Sequence, residues 1–139
     1  MGLIATYVIG LLAEILDEQP EREAKYPWAL GDPSPRTGLC RQLPFDAAWE
    51  TRRLIVEVDE DQHRKPVLHF DKPHVITVSG VSRGEQRRLY DARKRAAARA
   101  QGYTLVEIPW ERRPHLARRD RAADTAALRA LLQAAGVKC

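Results

Sequence analysis

Two short apolar segments of the chain carry carboxylates that could work together. They are Phe45-Asp46 and Val56-Glu57-Val58-Asp59. Burying such groups without a counter-charge is costly, so a cation or a cationic side chain is expected beside them. A hard divalent ion such as Mg²⁺ takes oxygen ligands and keeps several waters, which suits two carboxylates and a phosphate oxygen. The same spacing equally serves a solvated hairpin face ion-paired to Arg52 and Arg53, and spacing alone does not choose between the two.

Other chemistries fit less well. His69, His74 and His115 have no ligand spacing with Cys40 and Cys139, which argues against structural zinc. The run Asp59-Glu60-Asp61 lacks the alternating loop, central glycine and terminal glutamate of an EF-hand. The second marked feature is positive charge. The net charge of +4 is unevenly divided: residues 1–82 hold 9 basic and 13 acidic side chains, whereas residues 83–121 hold 12 and 5. Arg83, Arg87, Arg88, Arg93, Lys94, Arg95 and Arg99 crowd one segment, and Arg112, Arg113, Arg118 and Arg119 could extend the patch. A surface of that kind suits the phosphates of a nucleic acid, although it also describes an ordinary solvated helix face.

Elements must position these residues. At 139 residues, with 44% hydrophobic and 30% charged side chains, the chain has the size and composition of one globular domain, which excludes disordered and collagen-like classes. Leu3, Ile4, Tyr7, Val8, Leu11, Leu12 and Ile15 recur at helical spacing and predict a helix over 3–17, buried or available for homodimer formation. It is shorter than the roughly 20 residues of a membrane span and has no basic leader. Residues 20–39 read as a long connection with one short helical turn. Strands are expected at 41–49 and 53–59, joined near residues 50–52, with Leu54, Val56 and Val58 on one face and Ile55, Glu57 and Asp59 on the other. Residues 61–81 read as loop, with an edge strand at 75–78. Ser82-Arg-Gly-Glu85 has capping-box spacing and starts a helix that runs to Ala100 and stops at Gly102, with Leu89, Ala92, Ala96 and Ala100 as its buried stripe. A strand at 103–108 and a helix at 120–135 complete an α/β order.

Leu43-Pro-Phe-Asp46, Leu54-Ile-Val-Glu57-Val-Asp59-Glu-Asp-Gln62-His63, Asp91-Ala-Arg-Lys94 and Gly102-Tyr-Thr-Leu-Val-Glu-Ile108 together resemble the restriction-endonuclease-like PD-(D/E)XK nuclease superfamily. The likeness is to the branch of the very-short-patch-repair endonucleases, and it covers about residues 11–108. It implies a central mixed sheet flanked by helices, a Mg²⁺ or Mn²⁺ cofactor, and hydrolysis of DNA phosphodiester bonds in repair, restriction or phage-related defence. On this resemblance Asp46 and Glu57 hold the metal with the Val58 carbonyl, and Asp59 stands where the superfamily pattern has lysine. Gln62 and His63 end the motif, with His63 available for proton transfer. Glu14 and Asp91 support the site, and Lys94 stabilises developing negative charge. Two positions depart from the branch: Glu60 replaces its glycine and Lys94 its arginine.

The unusual Asp59 and Glu60 also motivate a different expectation, a nuclease-fold module that binds nucleic acid or a protein partner without catalysis. The two cysteines read as reduced thiols of a cytoplasmic protein with no membrane association.

Overall fold

A computed structural model describes residues 2–60, 76–110 and 120–139. In chain order these form α1 (Leu3–Leu16), β1 (Glu21–Ala24), β2 (Phe45–Trp49), a 3₁₀ turn (Glu50–Arg52), β3 (Leu54–Glu60), α2 (Arg83–Ala100), β4 (Thr104–Trp110) and α3 (Arg121–Ala134). The fold is α/β. Its mixed sheet has the order β1-β2-β3-β4, with the first two pairs antiparallel and β3–β4 parallel.

The alternation read in β3 divides the molecule into two layers. Leu54, Val56 and Val58 face a core shared with Ala47, Trp49, Val106, Ile108 and Trp110, covered by α1 and by Leu128 and Leu132 of α3. The apolar side chains of α1, including Val8, Leu11 and Leu12, are thereby spent inside the chain. Trp49 ties this layer together, fully buried and donating its indole N–H to the Glu18 carbonyl at 2.8 Å. Among the described residues no helix is long and apolar enough to cross a membrane.

The opposite face is covered by α2 and by the 25–44 connection. Its apolar core is smaller: Phe45, Ala48, Ile55 and Tyr103 with Ala24, Ala29 and Ala98, against which Tyr26 and Trp28 pack. Tyr26 stacks on Trp28 at 4.5 Å between ring centroids. Tyr26 and Tyr103 both donate their hydroxyls to Glu50, and burial together with that carboxylate pushes both phenols up.

Several expectations need correction. Part of the 20–39 connection is β1, a charged strand recruited as a sheet edge by pairing with β2. The 41–49 strand begins only at Phe45. Of the edge strand read at 75–78, Val75 lies outside the described residues, and in the part that is described Ile76 makes a single bridge to Ser82, closed by the Thr77 N–H to Val81 carbonyl bond at 2.9 Å. The α2 start is as read, with the Ser82 hydroxyl accepting from the Glu85 N–H. Its inward face is not. Leu89, Ala92, Ala96 and Ala100 are exposed, and the buried positions are Gly84 and Ala98. The physical reason is that α2 meets the sheet largely through charged side chains, so apolar periodicity does not mark its inner face.

Candidate metal and phosphate site

Asp46 and Glu57 are positioned by the β2–β3 hairpin. The pairing Ala47↔Val56 is the last rung of that ladder, and the next pair along would be Asp46 and Glu57. There the strands part and the side chains take over the hydrogen bonding. The Val58 N–H donates to Asp46 Oδ2 at 2.7 Å, and the Asp46 N–H donates to Glu57 Oε2 at 3.2 Å. Two carboxylates directly across a ladder repel each other, so this arrangement calls for positive charge.

Lys94 supplies it. Its ammonium forms an ion pair with Glu57 Oε1 and lies 5.0 Å from the centroid of the Phe45 ring. Both partners are largely enclosed, with side-chain exposures of 13% for Lys94 and 21% for Glu57. Burial nevertheless dominates at Glu57. It pushes the carboxyl up to about 7; Lys94 opposes the shift and Asp46 adds to it.

These residues lie in an open cleft of about 610 Å³. Asp46, Glu57, Asp59 and Glu107 come from the strands that form its floor, while Arg87, Arg88, Asp91, Lys94 and Arg95 come from α2 along one wall. The parallel register explains the floor: Glu57 pairs with Glu107 across β3–β4, so both point toward α2. Arg95 and Arg99 approach Glu107 at 3.7 and 4.0 Å. Glu107 was missed as a site residue in the sequence. Its alternation with the buried Val106 and Ile108 was the available signal, since it puts residue 107 on the face shared with Glu57.

The structure brings together Asp46, Glu57, Val58, Asp59, Asp91, Lys94, Arg87, Arg88 and Arg95. It does not bring Glu14 to them. That residue is exposed on α1, which covers the other face of the sheet, and pairs with Arg121 of α3. Arg93 points away as well, bonding Asp32 Oδ1 at 2.9 Å and the Leu30 carbonyl at 3.0 Å. Lys94 pairs with Glu57 of the sheet rather than with Asp91 of its own helix, because its position turns it inward beside Ala98. Arg88 pairs with Glu85 one turn earlier at 2.5 Å, and Arg83 lines a different pocket. Gln62 and His63 lie outside the described residues, as do Arg112, Arg113, Arg118 and Arg119.

Among the described residues no three His, Cys, Asp or Glu side chains form a metal-ligating cluster. The donor chemistry of Asp46 and Glu57 still fits a hard divalent cation: two carboxyl groups across a splayed ladder, one of them titrating near neutrality. No protein-family profile, curated protein or solved structure matches the chain.

Proposed function

We propose that the protein is a metal-dependent DNA endonuclease of the restriction-endonuclease-like fold, working in a reducing compartment such as the cytoplasm. One observation carries the reading: Asp46 and Glu57 sit side by side where β2 and β3 part, in a cleft whose helical wall bears Lys94, Arg87, Arg88 and Arg95. Acid below and base beside is what a phosphodiester and its cation require together.

Asp46 and Glu57 would hold Mg²⁺ or Mn²⁺, the Val58 carbonyl being the third donor carried by the resemblance. When bound, such an ion polarises a phosphoryl oxygen and lowers the pKa of an attacking water. The residues of the chain supply the rest. Arg87, Arg88 and Arg95 engage flanking phosphates and fix the strand in the cleft. Lys94 places positive charge beside the phosphoryl oxygens as negative charge builds. Water oxygen bonds to phosphorus, the phosphorus–oxygen bond to the departing sugar oxygen breaks, the water gives its proton to a base, for which Asp59 of the cleft and, on the resemblance, His63 are the candidates, and the departing oxygen takes up a proton from solvent. The parent observation tests simply: supercoiled plasmid with Mg²⁺ or Mn²⁺ is nicked by the native chain, and Asp46→Asn and Glu57→Gln each remove the activity. Nicking that survives both substitutions overturns the assignment.

One observation favours a second reading. The Lys94 ammonium already neutralises Glu57 internally, as befits a nuclease-fold module that binds DNA or a protein without cutting. That module binds DNA with strong salt dependence and nicks no substrate under any metal.

A further inference from the structure

A second open pocket, of about 540 Å³, lies on the neighbouring flank of α2, between the Gly31–Asp32 loop, the Ile76–Val78 segment and Gln86 and Tyr90. It adjoins the cleft without sharing its lining: Leu43 and Tyr90 belong to this pocket, and their chain neighbours Pro44 and Asp91 to the cleft.

Its framework is fastened from several sides. The Asp32 N–H donates to Tyr90 Oη at 2.8 Å, and Ser79 Oγ bonds the same oxygen at 3.0 Å. The Gly31 N–H donates to the Arg41 carbonyl at 2.8 Å, which fixes the backbone that carries Arg41. Arg83 is held as the first residue of α2, directly after the capping Ser82. The pocket is therefore set before any ligand arrives, which lowers the ordering cost of binding.

The mouth is aliphatic and the rim is cationic. Ile76 is 63% exposed and Val78 48% exposed, and both share the pocket with the exposed Arg41 and Arg83. Among the described lining residues Asp32 is the one acid, and Arg93 neutralises it at 2.9 Å, so the rim is left net positive. Stacking of nucleobases uses open aromatic faces. Tyr90, the one aromatic residue of the lining, does not offer them: the Arg93 guanidinium lies 5.1 Å from its ring centroid, and a Cβ at Gly31 would stand 3.1 Å from ring carbons. β-Branched side chains beside arginines are instead complementary to aliphatic side chains beside carboxylates.

We propose that this pocket docks a segment of a protein partner in which aliphatic and acidic residues alternate, the aliphatic ones meeting Ile76 and Val78 and the acidic ones Arg41 and Arg83. Such a partner sits against the helix that walls the cleft, and its docking does not depend on whether the chain cuts DNA. The probes are three labelled eight-residue peptides, one alternating Asp with Leu, one Lys with Leu and one Asp with Ser, with binding read by fluorescence anisotropy. The native chain binds the Asp–Leu peptide tighter than either control by about tenfold or more. Ile76→Ser with Val78→Ser abolishes the advantage over Asp–Ser, and Arg41→Ala with Arg83→Ala abolishes the advantage over Lys–Leu, each at an unchanged melting temperature. Equal binding of the three peptides by the native chain overturns the proposal. An Asp–Leu affinity that survives both double substitutions also overturns it, since the peptide is then held elsewhere, as by the arginines of the cleft. An eight-nucleotide single strand is measured in parallel: tighter binding than the Asp–Leu peptide, lost equally on Ile76→Ser with Val78→Ser, assigns the pocket to nucleic acid and overturns the protein partner.

Discussion

Glu57 is the residue on which the local chemistry turns. Its carboxyl is raised to about 7 chiefly by burial. A folded-state value above the unfolded one means that its favourable contribution is complete below about pH 4.5 and is lost as pH rises through about 7. Relative to Glu57→Gln, the native chain therefore loses melting temperature between those values when no divalent metal is present, and millimolar Mg²⁺ recovers part of the loss at pH 7.5. A Glu57→Gln profile that parallels the native one would contradict this. Proton and cation compete for the same carboxylate, so nicking rises with pH toward neutrality at low Mg²⁺, and its midpoint moves to lower pH as Mg²⁺ is raised. For Lys94 the expected pattern is a loss of turnover in Lys94→Ala of about 100-fold or more, with partial recovery in Lys94→Arg. The ion pair to Glu57 also links Lys94 to stability, so melting curves must accompany the kinetics.

At the scale of elements, α2 has two duties that its sequence states unequally. Its start was readable from Ser82 and Glu85, and its basic character from the arginine count, but its inner face was not. Ala98 is the fully buried side chain by which it touches the smaller core, and its inner face otherwise rests on polar and charged contacts, the ion pairs to Glu57 and Glu107 and the bonds of Tyr90 and Arg93 to the 30–32 loop. Ala92, Ala96 and Ala100 of α2 stay exposed, where alanine serves helix propensity rather than burial. By contrast, the β3 alternation was fully legible, since one face of each strand must be apolar to cover α1 and the other could carry the carboxylates. β1 could not be read because Glu21-Arg-Glu-Ala24 has no alternation, and its strand conformation comes from pairing with β2. The site was legible as Asp46, Glu57 and Lys94. The turning away of Arg93 was not, because it depends on the distant Asp32 and Leu30. Two predictions belong here. Ala98→Leu forces α2 off the sheet and destabilises by about 1–3 kcal/mol, measurable by urea unfolding. Arg87→Ala, Arg88→Ala and Arg95→Ala each weaken DNA binding across sequences and reduce the slope of log affinity against log salt by about 1, whereas Arg93→Ala leaves that slope unchanged and lowers stability.

Across the whole molecule, the sheet separates two kinds of interior. One side is an apolar layer under α1 and α3, which secures the fold; the other has a smaller aromatic core that gives way to charged contacts as β2 and β3 part. The modest net charge of +4 thus conceals an acidic floor facing a basic wall, a juxtaposition that neither half of the chain could maintain unneutralised. The most direct test is the cleavage of supercoiled plasmid by the native chain and by Asp46→Asn at saturating Mg²⁺, with equal folding verified by melting curves. The account predicts metal-dependent nicking by the native chain and its loss in Asp46→Asn. Equal nicking by the two proteins, or no nicking of any DNA by the native chain with either Mg²⁺ or Mn²⁺, would contradict it.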